Sequence, residues 1–197
     1  MEEEIYINSH CSIRDGRVSV NDTEIFKSAK TGPDFLPEVY EANAINYPKF
    51  YKMDELCKLG IIATDALLKN IDLTRYKAEE VGIVLSNSNA SIEADINYYE
   101  SSKTFPSPSL FVYTLPNIVI GEISIRYGFK GENAFFISKK FNAQWLHFYV
   151  TDLMQQHGLK ACVCGWLEVV NHQYEARLFL IEKGSGNGLN FTAGNLN

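Results

Sequence analysis

The residue types that could carry chemistry are concentrated in one short polar segment, SKKFNAQ, at positions 138–144. Lys139 and Lys140 are neighbours, and a lysine amine becomes a nucleophile when an apolar pocket or a second cation lowers its pKa. Ser138 offers a hydroxyl group beside them. The segment is hydrophilic enough to keep both amines hydrated, so by itself it predicts a solvated loop rather than an activated lysine.

The cysteines and histidines are scattered along the chain rather than clustered. Cys162 and Cys164 form a C-V-C pair, which alternates along a strand and lacks the C-x-x-C spacing of a chelating pair. We therefore expect reduced, mostly buried thiols, histidines with structural roles, and neither a metal nor a cofactor. The other members of the two sets are Cys11, Cys57, His10, His147, His157 and His172.

The composition excludes several classes of function. The formal net charge is -6, and no basic run interleaves with aromatic residues, so nucleic acid is not an expected partner. The first residues, MEEEIYINSH, are acidic where a secretory leader is basic. No segment approaches the roughly 18 consecutive apolar residues of a membrane-spanning helix. We expect a cytoplasmic protein without a transmembrane anchor.

Helix and strand patterns alternate along the chain, and they predict which elements precede and follow SKKFNAQ. A β-prone run over 5–13 with a return to Val20 predicts a first strand, and the proline-containing residues 31–51 predict an extended surface loop. The run VGIVL at 81–85 predicts a buried central strand. Further helices are predicted over 53–68, over 91–100, before Gly128 and over 142–157, and further strands over 134–137, 161–170 and 174–181.

This order of elements predicts an α/β fold with a single mixed five-stranded sheet and helices on its faces. No linker divides the chain, so residues 1–183 are predicted to form one domain. The Gly- and Asn-rich residues 184–197 are predicted to be a flexible tail. SKKFNAQ then connects the strand predicted over 134–137 to the helix predicted over 142–157.

A glycine pattern precedes that strand. The segment from Thr114 to Asn133, TLPNIVIGEISIRYGFKGEN, carries Asn117, Gly121, Gly128 and Gly131 in an N-x-x-x-G-x-x-x-x-x-x-G-x-x-G spacing. It resembles the stretch before the active-site strand of β-ketoacyl synthases. Downstream, VCGWLE at 163–168 is similar to the L-A-G-G-x-E strand of that family and keeps Gly165 and Glu168.

The same gapless register places SKKFNA on the family's nucleophile elbow, T-A-C-x-S-G. Ser138 falls at the threonine, Lys139 at the alanine and Lys140 at the nucleophilic cysteine. A catalytic thiolate is stabilised at a helix N-terminus, whereas an ammonium group there meets the opposite sign of interaction. We therefore expect Lys140 to point to solvent or to a carboxylate of another chain, at a vestigial site.

The resemblance covers about residues 5–182 and implies a thiolase-like half-fold, the N-terminal half of a condensing enzyme. The family takes two histidines, or a histidine and an asparagine, from its C-terminal half, and we expect this chain to lack them. It implies a degenerate, stand-alone, non-catalytic subunit in a fatty-acid- or polyketide-like pathway, similar to small subunits of aryl polyene-type pathways.

The expected partners follow from the same resemblance. They are a second copy of this chain or a full-length ketosynthase, forming a dimer, and also an acyl carrier protein. Two alternatives stay open. One is acyl transfer or thioester hydrolysis at the vestigial site, for which Ser138 is the available nucleophile. The other is a stand-alone module that binds acyl chains or their carrier.

Overall fold

The computed structural model describes residues 4–30, 32–184 and 188–197. The strands of this part of the chain form one mixed sheet in the order β3-β2-β1-β7-β6-β4-β5, with β8 paired beside β1. They are β1 (Ile5–Arg14), β2 (Arg17–Val20), β3 (Thr23–Lys27), β4 (Val81–Asn87), β5 (Asn133–Ile137), β6 (Ala161–Val170), β7 (Gln173–Lys183) and β8 (Leu189–Asn190).

The α-helices are placed between the strands and on both faces of the sheet. They are α1 (Phe35–Ala42), α2 (Glu55–Leu68), α3 (Ile92–Ser102), α4 (Pro108–Val112), α5 (Ile118–Tyr127) and α6 (Ala143–Gln156). Alternate residues of β6 show the two faces: Ala161 and Val163 join the core under α1, α2 and α5, whereas Cys162 and Cys164 join the core under α6.

The centre of the sheet is parallel. Strand β4 pairs in parallel with β5 on one side and with β6 on the other. Every residue of β4 is buried, as expected for a strand covered on both faces, and this explains why VGIVL shows no polar alternation. Parallel strands end at the same edge, so the segments that follow β4 and β5 lie side by side.

Helix α2 confirms the helix predicted over residues 53–68. It also shows how the face of the sheet covered by α1, α2 and α5, here called the first face, is packed. Asp54 caps the helix by accepting a hydrogen bond from the Cys57 backbone N–H at 3.0 Å. A Cβ atom at Gly60 would collide with Val119 of α5, so the glycine permits the close approach of the two helices. The cap defines where α2 begins, and the close packing of α2 on α5 positions α5. Because α5 directly precedes β5, it also positions the start of that strand.

The predicted surface loop over 31–51 is wrong in its centre, where residues 35–42 form α1. Phe35, Leu36, Val39 and Tyr40 are buried against the first face of the sheet. Pro37 obscured this pattern, but it lies in the first turn of the helix, where its missing N–H leaves no hydrogen bond unmade. Burial of one apolar face therefore outweighs the proline signal.

The predicted mixed α/β sheet is confirmed, but its predicted size of five strands is wrong. The predicted return to Val20 is a separate strand, β2, and the structure adds β3 and β8 to the predicted strands. Strand β3 is mostly exposed and β8 has only two residues, so neither carries an apolar alternation strong enough to read from the sequence.

The predicted flexible tail over 184–197 also needs correction. Residues 185–187 lie outside the described residues, but Leu189 and Asn190 pair with Ile7 and Tyr6 of β1. Leu196 is fully buried, and Phe191 is almost so, in the core under α6. The segment from 188 to 197 is thus part of the domain, because two apolar side chains fix an otherwise polar sequence.

All four cysteines are free and buried. Burial raises the pKa of Cys11 to about 12 and that of Cys57 well above its usual value, so these thiols stay protonated. No helix among the described residues is long and apolar enough to cross a membrane. In the same part of the chain, no three His, Cys, Asp or Glu side chains come together as metal ligands.

Candidate functional site

The candidate site lies where the parallel strands end. The Ser138 N–H donates to the Asn87 carbonyl at 2.9 Å, which extends the pairing of β4 and β5 by one step. Glu168 of β6 accepts from the Ser88 N–H at 2.8 Å and from the Ser88 hydroxyl. Three segments are therefore joined where the parallel strands end: the loop after β4, the loop after β5 and the C-terminal half of β6.

The loop from 138 to 142 carries Lys140, the residue that the sequence predicts at the family's nucleophile position. The Ser138 hydroxyl donates to the Lys140 carbonyl at 2.9 Å, and Asn142 caps α6 by accepting from the Trp145 N–H at 3.0 Å. Lys140 lies two residues before that cap, outside the helix. The side chains of Lys139 and Lys140 are exposed, and neither makes an ion pair within the described chain.

None of the four histidines contacts this loop in the part of the chain that the structure describes. His147 lies within hydrogen-bond distance of the Phe191 carbonyl, at 3.1 Å, and His172 of Glu55, at 2.9 Å. His10 pairs with Asp22 and His157 with Asp152. The Ser138 hydroxyl consequently has a backbone carbonyl as its acceptor and no general base beside it.

The glycines of the upstream motif hold β5 in place, with one exception. Gly128 ends α5 in the left-handed conformation, at φ 73°, and Gly131 lies so close to β4 that a Cβ atom would be 2.5 Å from the Val81 carbonyl oxygen. Asn117 is at the helix N-cap but makes no side-chain cap. Gly121 faces open space, so nothing in the described chain requires a glycine there.

The downstream motif also has a packing role. Gly165 has φ 147°, and a Cβ atom there would collide with the Arg177 carbonyl on β7. The Ser86 hydroxyl donates to the Gly165 carbonyl at 3.1 Å. Trp166 is buried beside it. Gly165 and Glu168 therefore tie β6 to its neighbours, and neither reaches the loop that carries Lys140.

Two surfaces near the ends of the parallel strands were not predicted from the sequence. The first is the exposed apolar surface of α3, α4 and the segments beside them, which we call the α3–α4 surface. Residues 105–116 contain three prolines, and the apolar spacing on α3 is weak, so no amphipathic stripe marks this surface in the sequence. Its exposed members are Ile92, Ile96, Tyr99, Phe105, Leu110, Phe111, Val112 and Leu115.

The second surface is the open edge of β5. This strand pairs with β4 and with no other strand of the described residues. Glu132 and Ser138 bond to β4, and the alternation of a strand directs the backbone groups of Asn133, Phe135 and Ile137 away from it. The edge is apolar, with Ile137 54% exposed.

Comparison with solved structures finds this fold in ketosynthase assemblies. A chain of the ishigamide ketosynthase/chain length factor is 18% identical, with a TM-score of 0.66 over 94% of this chain and 64% of that chain. A chain of a type II polyketide synthase complex, an acyl-carrier protein with its ketosynthase bound to the hexaketide, is 14% identical, with a TM-score of 0.66 over 93% and 63%. A chain of a ketosynthase in complex with its chain length factor from Xenorhabdus doucetiae is 10% identical, with a TM-score of 0.58 over 93% and 80%.

These likenesses concern the fold. The chain spans less than two thirds of the length of the first two of those structures. No protein-family model and no curated protein matches the sequence. The ketosynthase-like, thiolase-type fold predicted from the Asn117 to Glu168 motifs is thus confirmed, while the vestigial role of Lys140 stays a prediction.

Proposed function

We propose that the chain is a non-catalytic ketosynthase-like subunit that pairs with an active condensing enzyme in fatty-acid- or polyketide-type biosynthesis. The observation that carries this proposal is the open, apolar edge of β5, the strand that leads directly to Lys140. An edge strand with unpaired backbone groups is a template for another strand. An aryl polyene-type pathway is the narrower form of the proposal.

The absence of a nucleophile at position 140 supports a role other than condensation. A lysine ammonium group cannot replace a thiolate, because the positive end of α6 stabilises negative charge and disfavours positive charge. The exposed Lys140 side chain remains hydrated. Ser138 has no base within the described residues, so neither side chain is activated for attack on a thioester.

The α3–α4 surface supports a protein partner. Its members include Phe105 and Tyr99, whose side chains are 79% and 63% exposed. Large contiguous apolar surface on a chain commonly marks an interaction site. The named neighbours are a ketosynthase/chain length factor, a ketosynthase with its chain length factor and a ketosynthase with its acyl-carrier protein, so a condensing enzyme is the partner class we propose and a carrier protein the second component.

The proposal is tested by co-expression with the condensing enzyme encoded nearest to its gene. We expect a stable complex in size-exclusion chromatography with light scattering, and a change in product chain length when the subunit is present. The carrier protein from the same gene group is tested for binding in parallel. A strictly monomeric chain that binds neither protein contradicts the proposal.

The same preparation tests the alternative of acyl transfer at Ser138. Incubation with acyl thioesters followed by intact-mass measurement should show no covalent adduct and no turnover. A matched variant, Ser138→Ala, identifies the site if an adduct forms. An adduct that depends on Ser138 would replace the proposed function with acyl transfer.

A further inference from the structure

Arg177 of β7 is a half-buried cation that forms no ion pair within the described residues. Its guanidinium lies over two aromatic rings, with Cζ 5.1 Å from the centroid of Phe141 and 5.7 Å from that of Phe179. Across the described residues its side chain makes no ion pair and no hydrogen bond. Ring contacts stabilise the charge but satisfy none of the five N–H donors of a guanidinium.

Two other arginines, Arg126 and Arg75, are paired with carboxylates. Arg126 donates to both carboxylate oxygens of Asp65, at 2.8 and 2.6 Å, and Arg75 is bound to the buried Glu182. Burial lowers the pKa of Arg177, and the nearby Glu175 opposes this only in part, through its charge. Arg177 therefore differs from Arg126 and Arg75 in keeping its donors available for an anion from outside the chain.

Arg177 lines a groove of about 390 Å³ on the α6 side of the sheet. Arg177 and Phe179 line it from β7, His10 lines it from β1, and Leu189 and Asn195 line it from the C-terminal segment. Small-molecule sites have volumes of roughly 300–1,000 Å³ and combine apolar surface with few polar groups. The groove has the size for a small ligand, and its lining is more polar than is usual for such sites, with Phe179 and Leu189 beside charged and amide side chains.

The charges around the groove favour a singly charged ligand. The other cation on its wall, Arg14, lies 3.5 Å from Asp15, and His10 lies 3.2 Å from Asp22. Glu175 adds a further negative charge. A dianionic phosphate would be repelled by these carboxylates, whereas a carboxylate matches one guanidinium in charge and in its planar, bidentate geometry.

We propose that this groove binds a small organic carboxylate, with the Arg177 guanidinium on the carboxylate and the Phe179 ring against the apolar body of the ligand. The proposal does not depend on the proposed pairing with a condensing enzyme, because its groove lies on the α6 face and its residues are not those of the β5 edge or the α3–α4 surface.

The test uses benzoate as the probe and benzamide, its neutral isostere, as the matched ligand. Both are titrated into the full chain and followed by amide chemical shifts in two-dimensional NMR. We expect saturable benzoate shifts at and around Arg177 and Phe179, with benzamide at least about tenfold weaker, as loss of a charged hydrogen bond predicts. Inorganic phosphate at equal ionic strength should not displace benzoate.

Variants locate the binding group. Arg177→Met keeps the stem over Phe141 and should weaken benzoate at least about tenfold, while Arg177→Lys should weaken it less. Arg17→Gln, on β2 and outside the groove lining, should bind as the unaltered chain does. Equal binding of benzoate and benzamide, unchanged binding by Arg177→Met, no saturable benzoate shift, or tighter binding of phosphate would each overturn the proposal. If Arg177→Met does not fold, the two ligands on the unaltered chain decide.

Discussion

The two outer strands of the main sheet, β3 and β5, differ in how they meet solvent. Strand β3 reads TEIFK, and its Glu24 forms an ion pair with Arg17 of β2 at 2.9 Å. A register shift between Val18 and Ser19 interrupts its pairing with β2. Strand β5 reads NAFFI, has no charged side chain and pairs with β4 without a register shift.

Charges and bulges are the usual means by which an edge strand avoids pairing with another chain. Strand β3 has both features, and β5 has neither. An edge strand without such protection is available to pair with a partner strand. We therefore propose that the β5 edge serves assembly and that the β3 edge faces solvent, and each edge can be tested separately.

The largest effect is expected from Gly131→Ala, which acts on the placement of β5. The added Cβ atom would be 2.5 Å from the Val81 carbonyl oxygen, so the backbone must move and the pairing of β4 with β5 is distorted. We expect a loss of about 2–3 kcal/mol in the free energy of unfolding, measured by urea denaturation. Unchanged stability would show that β5 is not held by this close approach.

A more selective change is Ile137→Lys, which puts a charge on the β5 edge. Ile137 is 54% exposed in the single chain, so the substitution should leave the unfolding free energy within about 0.5 kcal/mol. It should nevertheless abolish or strongly weaken association in light-scattering measurements, because a buried charge at a strand interface is unpaired.

The matched control for this change is Ile25→Lys on β3, where the side chain is 42% exposed. We expect this variant to associate as the unaltered chain does. If both variants lose the partner, or if only Ile25→Lys does, the assignment of the two edges is wrong.

The smallest effect is expected at Gly121. No atom lies within 4 Å of a Cβ built at this glycine, and its φ is not in the left-handed region, so Gly121→Ala should stabilise the isolated chain by about 0.5–1 kcal/mol in thermal unfolding. If a partner backbone approaches α5 here, the same variant should bind it more weakly. Stabilisation with unchanged association would place Gly121 outside the interface.

The parts of the fold that the sequence predicted are those with a local physical signal. The unbroken apolar run at Val81 predicted β4, the acidic start at Asp54 predicted α2, and Gly128 predicted the end of α5. Helix α1 was missed because Pro37 suggested a loop, and the segment 188–197 because its many polar residues hid Phe191 and Leu196.

The candidate site was predictable only in its motifs. The spacing from Asn117 to Glu168 located the loop that bears Lys140 at the right place in the sheet. The sequence NAFFI does not show that β5 is an edge strand, because edge status depends on which strands lie beside it. The surroundings of Arg177 depend likewise on tertiary contacts, since Phe141 reaches it from a loop far away in the chain.

The contact of Phe141 with β7 connects the loop that carries Lys140 to the groove that Arg177 lines. Phe141 follows Lys140 directly, and its ring lies between the loop and the Arg177 guanidinium. An anion that draws Arg177 away from this ring removes a contact that holds the loop, and changes the free energy of its position. If both proposals hold, a protein that fixes the loop changes the affinity of the groove by the same factor by which the anion changes the affinity for that protein.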